Sequence, residues 1–426
     1  MSRNNLRALA LIGAAAFLLR FGLAVVTETH PLFPAYYYTD SRLMDEASLD
    51  AMGRLARGEG YADGGTLGQR TQILVQTSVY RILGVHPFAM KLFNSILGAL
   101  AVGALAAAAA SAFGPAPALA AAAFCALWPS NVFYSSQNFK EAPTTLLAFL
   151  ALAAFLPLLD ERSSRRFWGA LAAAGALCLL VAGFYRSYVM LTLSAALAAS
   201  FLGACAVRRA APRPLAFGLI VALGVPLAFL PVSRFATARA PGKTAASDPD
   251  ALPQLIPTTY DAATERTFTP TSPHALSEFR RIRQESDRLK AQTLTGREIG
   301  TQILPDARFE TWSDVIGFLP KGAFYVLFMP LPGLYPMAGK LGRLAAALEN
   351  AALLILAGLA AVGVSRGPRT PARAAFLLFF LAMTAGSALL EFDLGSAGRH
   401  KLLYLPMLFP FAAEEILRLL GRKEPA

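Results

Sequence analysis

"LRALALIGAAAFLLRFGLAVVT", residues 6–27, decides what kind of molecule this is: apart from Arg7, Arg20 and Thr27 it carries nothing polar. A membrane-spanning helix needs about 20 predominantly apolar residues, and this run supplies them. A cleaved leader has a shorter apolar core and a soluble chain behind it. Here many further apolar runs follow, so the segment reads as a retained first span. Composition agrees, with 55% hydrophobic and 15% charged residues, against roughly 45–50% apolar and ~25% charged in soluble domains. The chain is an all-α, polytopic membrane protein.

The further apolar runs are 87–112, 117–133, 142–159, 168–184, 188–207, 215–232, 344–364, 374–390 and 402–420, which makes ten expected spans. The net charge of +12 does not describe a nucleic-acid surface, because the basic residues punctuate the gaps between apolar runs. With the N-terminus inside, the cytoplasmic segments are "MSRNNLR", "GPAP", "DERSSRR", "RRAAPRP", "SRGPRTPAR" and "GRKEPA", and all but "GPAP" carry Lys or Arg. That is the positive-inside pattern, and it puts both termini in the cytoplasm. The run 317–336 is apolar but interrupted by four prolines and Lys321. A full crossing there would invert the charge pattern downstream, so a re-entrant or interfacial segment on the outer side is expected, an eleventh element at most.

The resulting organisation is an N-terminal transmembrane module (1–232) with a first outer loop (28–86), a large periplasmic loop (233–316) and a C-terminal transmembrane module (317–426). In the large loop Leu276, Phe279, Ile282 and Leu289 recur at roughly helical spacing among charges, so an amphipathic surface helix is expected there. Cys125, Cys178 and Cys205 fall within or beside apolar runs and read as small buried hydrophobes. No internal repeat of the two-halved transporter kind is visible.

Directly after the first span comes "YYYTDSRLMDEASLD", residues 36–50, an acidic cluster on the outer side. The stretch from Met44 to Tyr61 reads as a short helix with Met44, Leu49, Met52 and Leu55 on one side, ended by Gly58 and Gly60. It is either a solvated helix resting on the membrane surface or the carrier of a general base, Asp40 or Asp45. A carboxylate just above the hydrocarbon, partly shielded from water, is suited to remove a proton from an acceptor hydroxyl or amine. A second acid, Glu141 in "NFKEAPTTLL", opens a span beside Lys140. Favourable placement of an acid at a helix N-terminus explains it equally well. On the same outer side lie Arg70, Arg186, Lys321, Arg399, His400 and Lys401. The last three run against the positive-inside preference, and a phosphate ligand would account for them. Arg20 lies inside the first span; a functional role is one reading, snorkelling of its head to the outer interface the other.

The joint order of these features resembles the membrane-embedded GT-C glycosyltransferases that use polyprenyl-phosphate sugars, in particular the branch similar to protein O-mannosyltransferases and lipid A aminoarabinose transferases. The matching pieces are "MDEASLDAMGRLARGEGY", "FKEAPTTLLAFLAL", "DVIGFLPKGAFYVLFMPLP" and "GSAGRHKLLYLPMLFPF", spread in order over most of the chain. The chain departs from the family in lacking a proline-containing stretch after the first-loop glycines, where it has "GQRTQILVQTSVYRILG".

The resemblance implies a GT-C-like bundle of about 10–11 transmembrane helices in a bacterial inner membrane, with the active site facing the periplasm. It implies a polyprenyl-phosphate sugar donor and a glycan, lipid or protein acceptor. The first-loop aspartate, Asp45 in preference to Asp40, would be the base, with Glu141 as a second catalytic acid. Arg399, Lys401, Lys321, Arg70, His400 and Arg186 would hold the donor phosphate. No metal cage of His and carboxylates is evident, although Asp45 and Glu141 are a pair able to share a divalent cation. The competing classes are a flippase of polyprenyl-linked saccharides, which calls for broken or charged sites at mid-bilayer, and a non-catalytic protein of envelope polysaccharide assembly.

Overall fold

The structure, a computed structural model, describes residues 2–30, 39–59, 66–159, 167–208, 213–238, 302–304, 306–335 and 341–421. The helix expected around Leu276 to Leu289 lies outside these residues. Among the described residues the only bridge between extended segments joins Gln302 and Asp393, and the rest of the regular structure is helical.

The first span is α1 (Arg3–Thr29), whose start is capped by the Ser2 hydroxyl. The loop expected on the outer side after the first span contains two helices, α2 (Thr39–Ala56) and α3 (Leu67–Leu83), that pack on each other. Then follow α4 (Pro87–Phe113), α5 (Pro115–Leu127), α6 (Pro129–Ser135) and α7 (Glu141–Phe155). Pro87, Pro115 and Pro129 each open a helix, where the missing N–H would have had no partner in any case. Next come α8 (Trp168–Tyr185), α9 (Ser187–Arg208) and α10 (Arg213–Ala238). The C-terminal part contains α11 (Trp312–Phe328), α12 (Leu341–Arg366), α13 (Pro371–Leu390), α14 (Leu394–Lys401) and α15 (Phe409–Leu419).

Eight of these helices are long and apolar enough to cross a membrane: α1, α4, α7 with the turn after it, α8, α9, α10, α12 and α13. The expected third span is instead a pair, α5 and α6, bent by 61°. The expected tenth span is broken too: residues 405–407 form a tight turn and α15 has only 11 residues. Hydropathy counts an apolar residue alike in a helix and in a turn, which is why 402–420 reads as one span. The first part of the proline-rich run, residues 317–328, belongs to a continuous 17-residue helix, α11, with Pro320 inside it, and a turn follows a cis Met329–Pro330 bond. α11 packs mainly on α13 and also touches α12 and α14.

α2 differs from its expected face. Its buried positions are Ser41, Ser48 and Ala51, while Leu49 is 46% exposed. The reason is its partner, because α3 turns Gln72, Gln76, Thr77 and Tyr80 toward the interior. Small polar residues let two helices approach closely and bond across the contact.

The connections expected on the outer side do share one end of the bundle. Gln137 donates to Thr27 (3.0 Å), Asn138 to Asp45 (2.8 Å) and Lys91 to Glu28 (2.7 Å). At the opposite end Arg373 pairs with Glu414 and lies 4.5 Å from the Phe113 ring centre, while Arg366 pairs with Glu415 at 2.8 Å.

Arg20 is not a snorkelling side chain; it is 1% exposed and caps the bend between α5 and α6. Pro129 has no N–H to give the carbonyl four residues back, and Trp128 before it is extended (ψ 120°), as a residue before proline prefers. Arg20 supplies a donor to Ala126 O (3.2 Å), shares Cys125 O with the Asn131 amide (3.4 Å each), and bonds Ser135 Oγ through its Nε (2.8 Å). Gly98 of α4 makes room, since a Cβ there would stand 2.8 Å from Arg20 Nε. A buried carbonyl left bare costs about 1–3 kcal/mol. Replacing Arg20 by Met is therefore expected to destabilise the protein by at least that much in denaturant unfolding in detergent, whereas Arg7→Met, at an exposed position of the same helix, has no comparable effect.

Candidate functional site

The α2–α3 hairpin encloses one carboxylate, Asp45. α3 starts with a capping box in which Thr66 and Gln69 satisfy each other's backbone N–H groups. Gly68 sets the helix hard against the α8–α9 turn; a Cβ there would lie 2.4 Å from the Tyr185 carbonyl oxygen. Gln72, Gln76 and Tyr80 follow at four-residue spacing and so share one face.

Three donors converge on Asp45 Oδ1: the Gln76 amide, the Tyr80 hydroxyl (2.6 Å) and the Asn138 amide (2.8 Å). Gln76 also donates to Tyr80 (2.8 Å), and Gln72 donates to Asn138 Oδ1 (3.1 Å), which fixes the Asn138 amide with its nitrogen toward Asp45. No hydrogen bond from the described residues goes to Asp45 Oδ2. Burial pushes the Asp45 carboxyl above its ordinary value; the bonds from Tyr80, Gln76 and Asn138 and the positive Lys91 oppose that shift without cancelling it. Burial and the adjacent Asp45 push the Tyr80 hydroxyl up, so it remains a donor.

A second cluster lies three residues further along. Glu141, the first residue of α7, is 1% exposed and pairs with Arg186. Arg186 breaks the chain between α8 and α9 with extended backbone (φ −151°, ψ 95°). Its Nη1 contacts Tyr188 OH (2.8 Å) and His400 Nε2 (2.7 Å), and His400 Nδ1 meets Glu391, the residue that ends α13. Arg399 lies 5.5 Å from the Phe139 ring centre and adds positive potential at Glu141. Asn138 and Glu141 are three residues apart, which keeps their Cα atoms within about 11 Å and holds the two clusters side by side. A small cavity beneath Glu141 is lined by Arg20, Asn131, Ser135 and Thr145.

The residues singled out in the sequence divide accordingly: Asp45 stands in the first cluster, and Glu141, Arg186 and His400, with Arg399 beside them, form the second. Asp40 lies in the first turn of α2, with its side chain outside the described residues. Lys401 is not available to a phosphate. It is 4% exposed, and its ammonium bonds Leu327 O and Asn350 Oδ1, both at 2.8 Å, so it caps the end of α11. Burial draws that ammonium down to about 8. Lys321 is exposed on α11. Arg70 sits half-buried in the first turns of α3. No group of three or more His, Cys, Asp or Glu side chains suited to a metal occurs among the described residues.

Gln76, Tyr80, Asn138, Lys91 and Glu391 complete the two clusters, and none of them stands out in the sequence. The usable signal for the first two is the spacing of polar residues in "QRTQILVQTSVY", a face no membrane-surface helix needs.

No protein-family model matches the chain, and no curated protein matches it. Among solved structures, the chain is similar to ArnT from Cupriavidus metallidurans bound to undecaprenyl phosphate, with 14% identity, a TM-score of 0.43, and coverage of 97% of this chain and 78% of that one. It is also similar to the apo state of the same protein, with 15% identity, a TM-score of 0.37, and coverage of 87% and 72%.

Proposed function

We propose that the chain is a polyprenyl-phosphate-dependent glycosyltransferase whose base is Asp45. The observation that carries this reading is the asymmetry of the Asp45 carboxylate, with three donors on Oδ1 and none from the described residues on Oδ2. A carboxylate held by one oxygen is oriented by that oxygen and reactive at the other. In the proposed step Oδ2 takes the proton of an acceptor hydroxyl or amine as the acceptor atom bonds to the anomeric carbon of the sugar. The bond from that carbon to the phosphate oxygen breaks, and the polyprenyl phosphate leaves with the electron pair. The second cluster supports the leaving group: Arg186 and Arg399 supply positive charge beside the site, and charge-assisted hydrogen bonds are the strong kind. Glu141 acts on Arg186 and not as a second base, because its charge is already matched by the guanidinium. Donor on the phosphate side, acceptor on the Asp45 side, periplasmic orientation and inner-membrane location are all parts of this proposal.

The test supplies radiolabelled polyprenyl-phosphate sugars to the purified protein and follows transfer. Asp45→Asn is expected to lower the rate by about 10²–10⁴-fold, the usual contribution of a general base; retained transfer would end the role of Asp45. The same variant should not lose stability. A carboxyl whose folded pKa is raised contributes stability only while protonated, below its unfolded value, and is a burden once ionised at neutral pH. Thermal unfolding of Asp45→Asn should thus occur at the same temperature as wild type or higher.

The acid side of the pH–rate profile reports the same group. Activity requires ionised Asp45, so the rate falls as pH drops through its raised pKa. Tyr80→Phe removes a hydrogen bond that favours the ionised form, so this limb should move to higher pH; an unmoved limb would separate the pH dependence from Asp45. Glu141→Gln, which leaves Arg186 buried without its counter-charge, is expected to cost about 3–5 kcal/mol of stability in denaturant unfolding.

A further inference from the structure

The contact between Arg186 and His400 fixes the chemical state of the histidine. A guanidinium has five N–H donors and no acceptor. The 2.7 Å approach of Arg186 Nη1 to His400 Nε2 is therefore a hydrogen bond only when Nε2 carries no proton. The other ring nitrogen, Nδ1, faces the Glu391 carboxylate, which accepts, so Nδ1 carries the ring's one proton. The imidazole sits between a donor and an acceptor, and one tautomer satisfies both.

We infer that His400 is a positioning residue which, as a neutral Nδ1–H imidazole, locks the Arg186 guanidinium between Glu141 and Tyr188, and that protonation of Nε2 opens this lock. The lock stands on the contacts themselves, while its consequence for turnover rests on the transferase reading above. With Nε2 protonated, two N–H groups and two positive charges would oppose each other across the same gap, and Arg186 would be driven off its seat. Arg186 is placed by three side chains from three different elements: Glu141 from α7, Tyr188 from α9 and His400 from α14. Losing one of them frees a guanidinium that would otherwise present a fixed charge to a phosphate.

The charged and titratable groups that act on His400 come from every element packed on it. Glu391 after α13 and Glu141 on α7 favour the imidazolium, while burial and Arg186 oppose it, and the balance lies below the ordinary histidine value. On its own element Arg399 adds a further positive neighbour to Arg186. Glu391 itself is pushed up by burial but held below the usual carboxylate range by the charge and hydrogen bonds facing it, so it stays an acceptor. The sign follows directly. The lock is closed at neutral pH, above His400's pKa, and opens as pH falls through a midpoint beneath the free-histidine value of ~6.5.

The test is nitrogen NMR of the full chain, labelled at histidine and held in detergent micelles. There are four histidines, His30, His86, His274 and His400. One of them should be neutral at pH 7.5 with its proton on Nδ1, should titrate below ~6.5, and should vanish from the spectrum of His400→Gln. If that variant does not fold, a chain with the other three histidines replaced by Gln leaves the His400 signal alone in the spectrum. A charged ring at pH 7.5, or a proton on Nε2, would overturn the inference. Arg186→Gln removes the neighbouring cation and should raise the His400 midpoint, and an unmoved midpoint would also sink it. For the consequence, undecaprenyl phosphate is titrated into wild type above and below the measured midpoint, with affinity expected to fall at least tenfold on the acid side. Equal binding on both sides would remove the lock from substrate handling. No binding at any pH would instead defeat the transferase reading, with the tautomer and the Arg186→Gln shift still deciding the lock.

Discussion

The arrangement depends on one guanidinium. α5 cannot continue past Trp128 because Pro129 has no N–H and forces extended backbone before it. Left alone, the Ala126 carbonyl would be orphaned, and an unmet buried acceptor is expensive; the Cys125 carbonyl would keep only the Asn131 amide at 3.4 Å. Arg20 reaches across from α1 and serves both, and Ser135 of α6 as well. The bend is thus a specified angle and not a weak point. Its consequence lies in the residues that follow: α6 ends at Ser135, the chain turns through Gln137 and Asn138, and Glu141 opens α7. Asn138 is delivered to Asp45 and Glu141 to Arg186, so the geometry of both clusters descends from a cap made inside the bundle.

The two ends of the bundle use charge differently. Away from the site, Arg373, Glu414, Arg366, Glu415 and Arg418 form a network partly open to its surroundings, with Arg373 stacked on Phe113 and Phe411. Such a network ties helix ends together, with Arg373 and Glu415 buried and Arg366 and Arg418 reaching outward. Around Glu141 the charges are buried, and a buried pair is weak evidence for stability because desolvation offsets much of the attraction. An apolar pair of similar volume would hold α7 to α9 as well. What it would not do is keep a guanidinium at a fixed point, and that is what the proposed role of the cluster requires.

Much of the fold is readable from hydropathy, because eight helices are uniformly apolar over a span's length. The failures have physical causes. The third apolar run hides its bend in a single Trp128–Pro129 step, and the last hides a turn inside apolar residues that look the same whether helical or not. The buried face of α2 escapes the pattern because it is made of Ser41, Ser48 and Ala51, and hydropathy ranks Leu49 above all three. Of the cations on the outer side, Arg186, Arg399 and Lys401 are indistinguishable in sequence. Only packing shows that Lys401 serves a carbonyl of α11 while Arg186 faces Glu141 and His400. Pairings between residues as distant as Arg186 and His400 are set by tertiary contact, on which local pattern is silent.

Asp45 differs from the other carboxylates of α2 in what it faces. A surface carboxylate would satisfy itself with water or with an arginine one turn away, as Asp50 does with Arg54 and Glu46 with Arg42 on the outward face of α2. Asp45 has no such ion pair among the described residues. It is turned inward against amides and a phenol, neutral donors that fix its direction without matching its charge. Neutral donors leave the carboxylate more basic than a salt bridge would, since an opposite charge lowers a carboxyl pKa strongly while burial raises it. Three donors on one oxygen then decide which oxygen is left for chemistry. A helix selected only for stability would have no use for that combination, a carboxylate held in one orientation by a second helix and a loop, and it is on this combination that the proposed role of Asp45 as base rests.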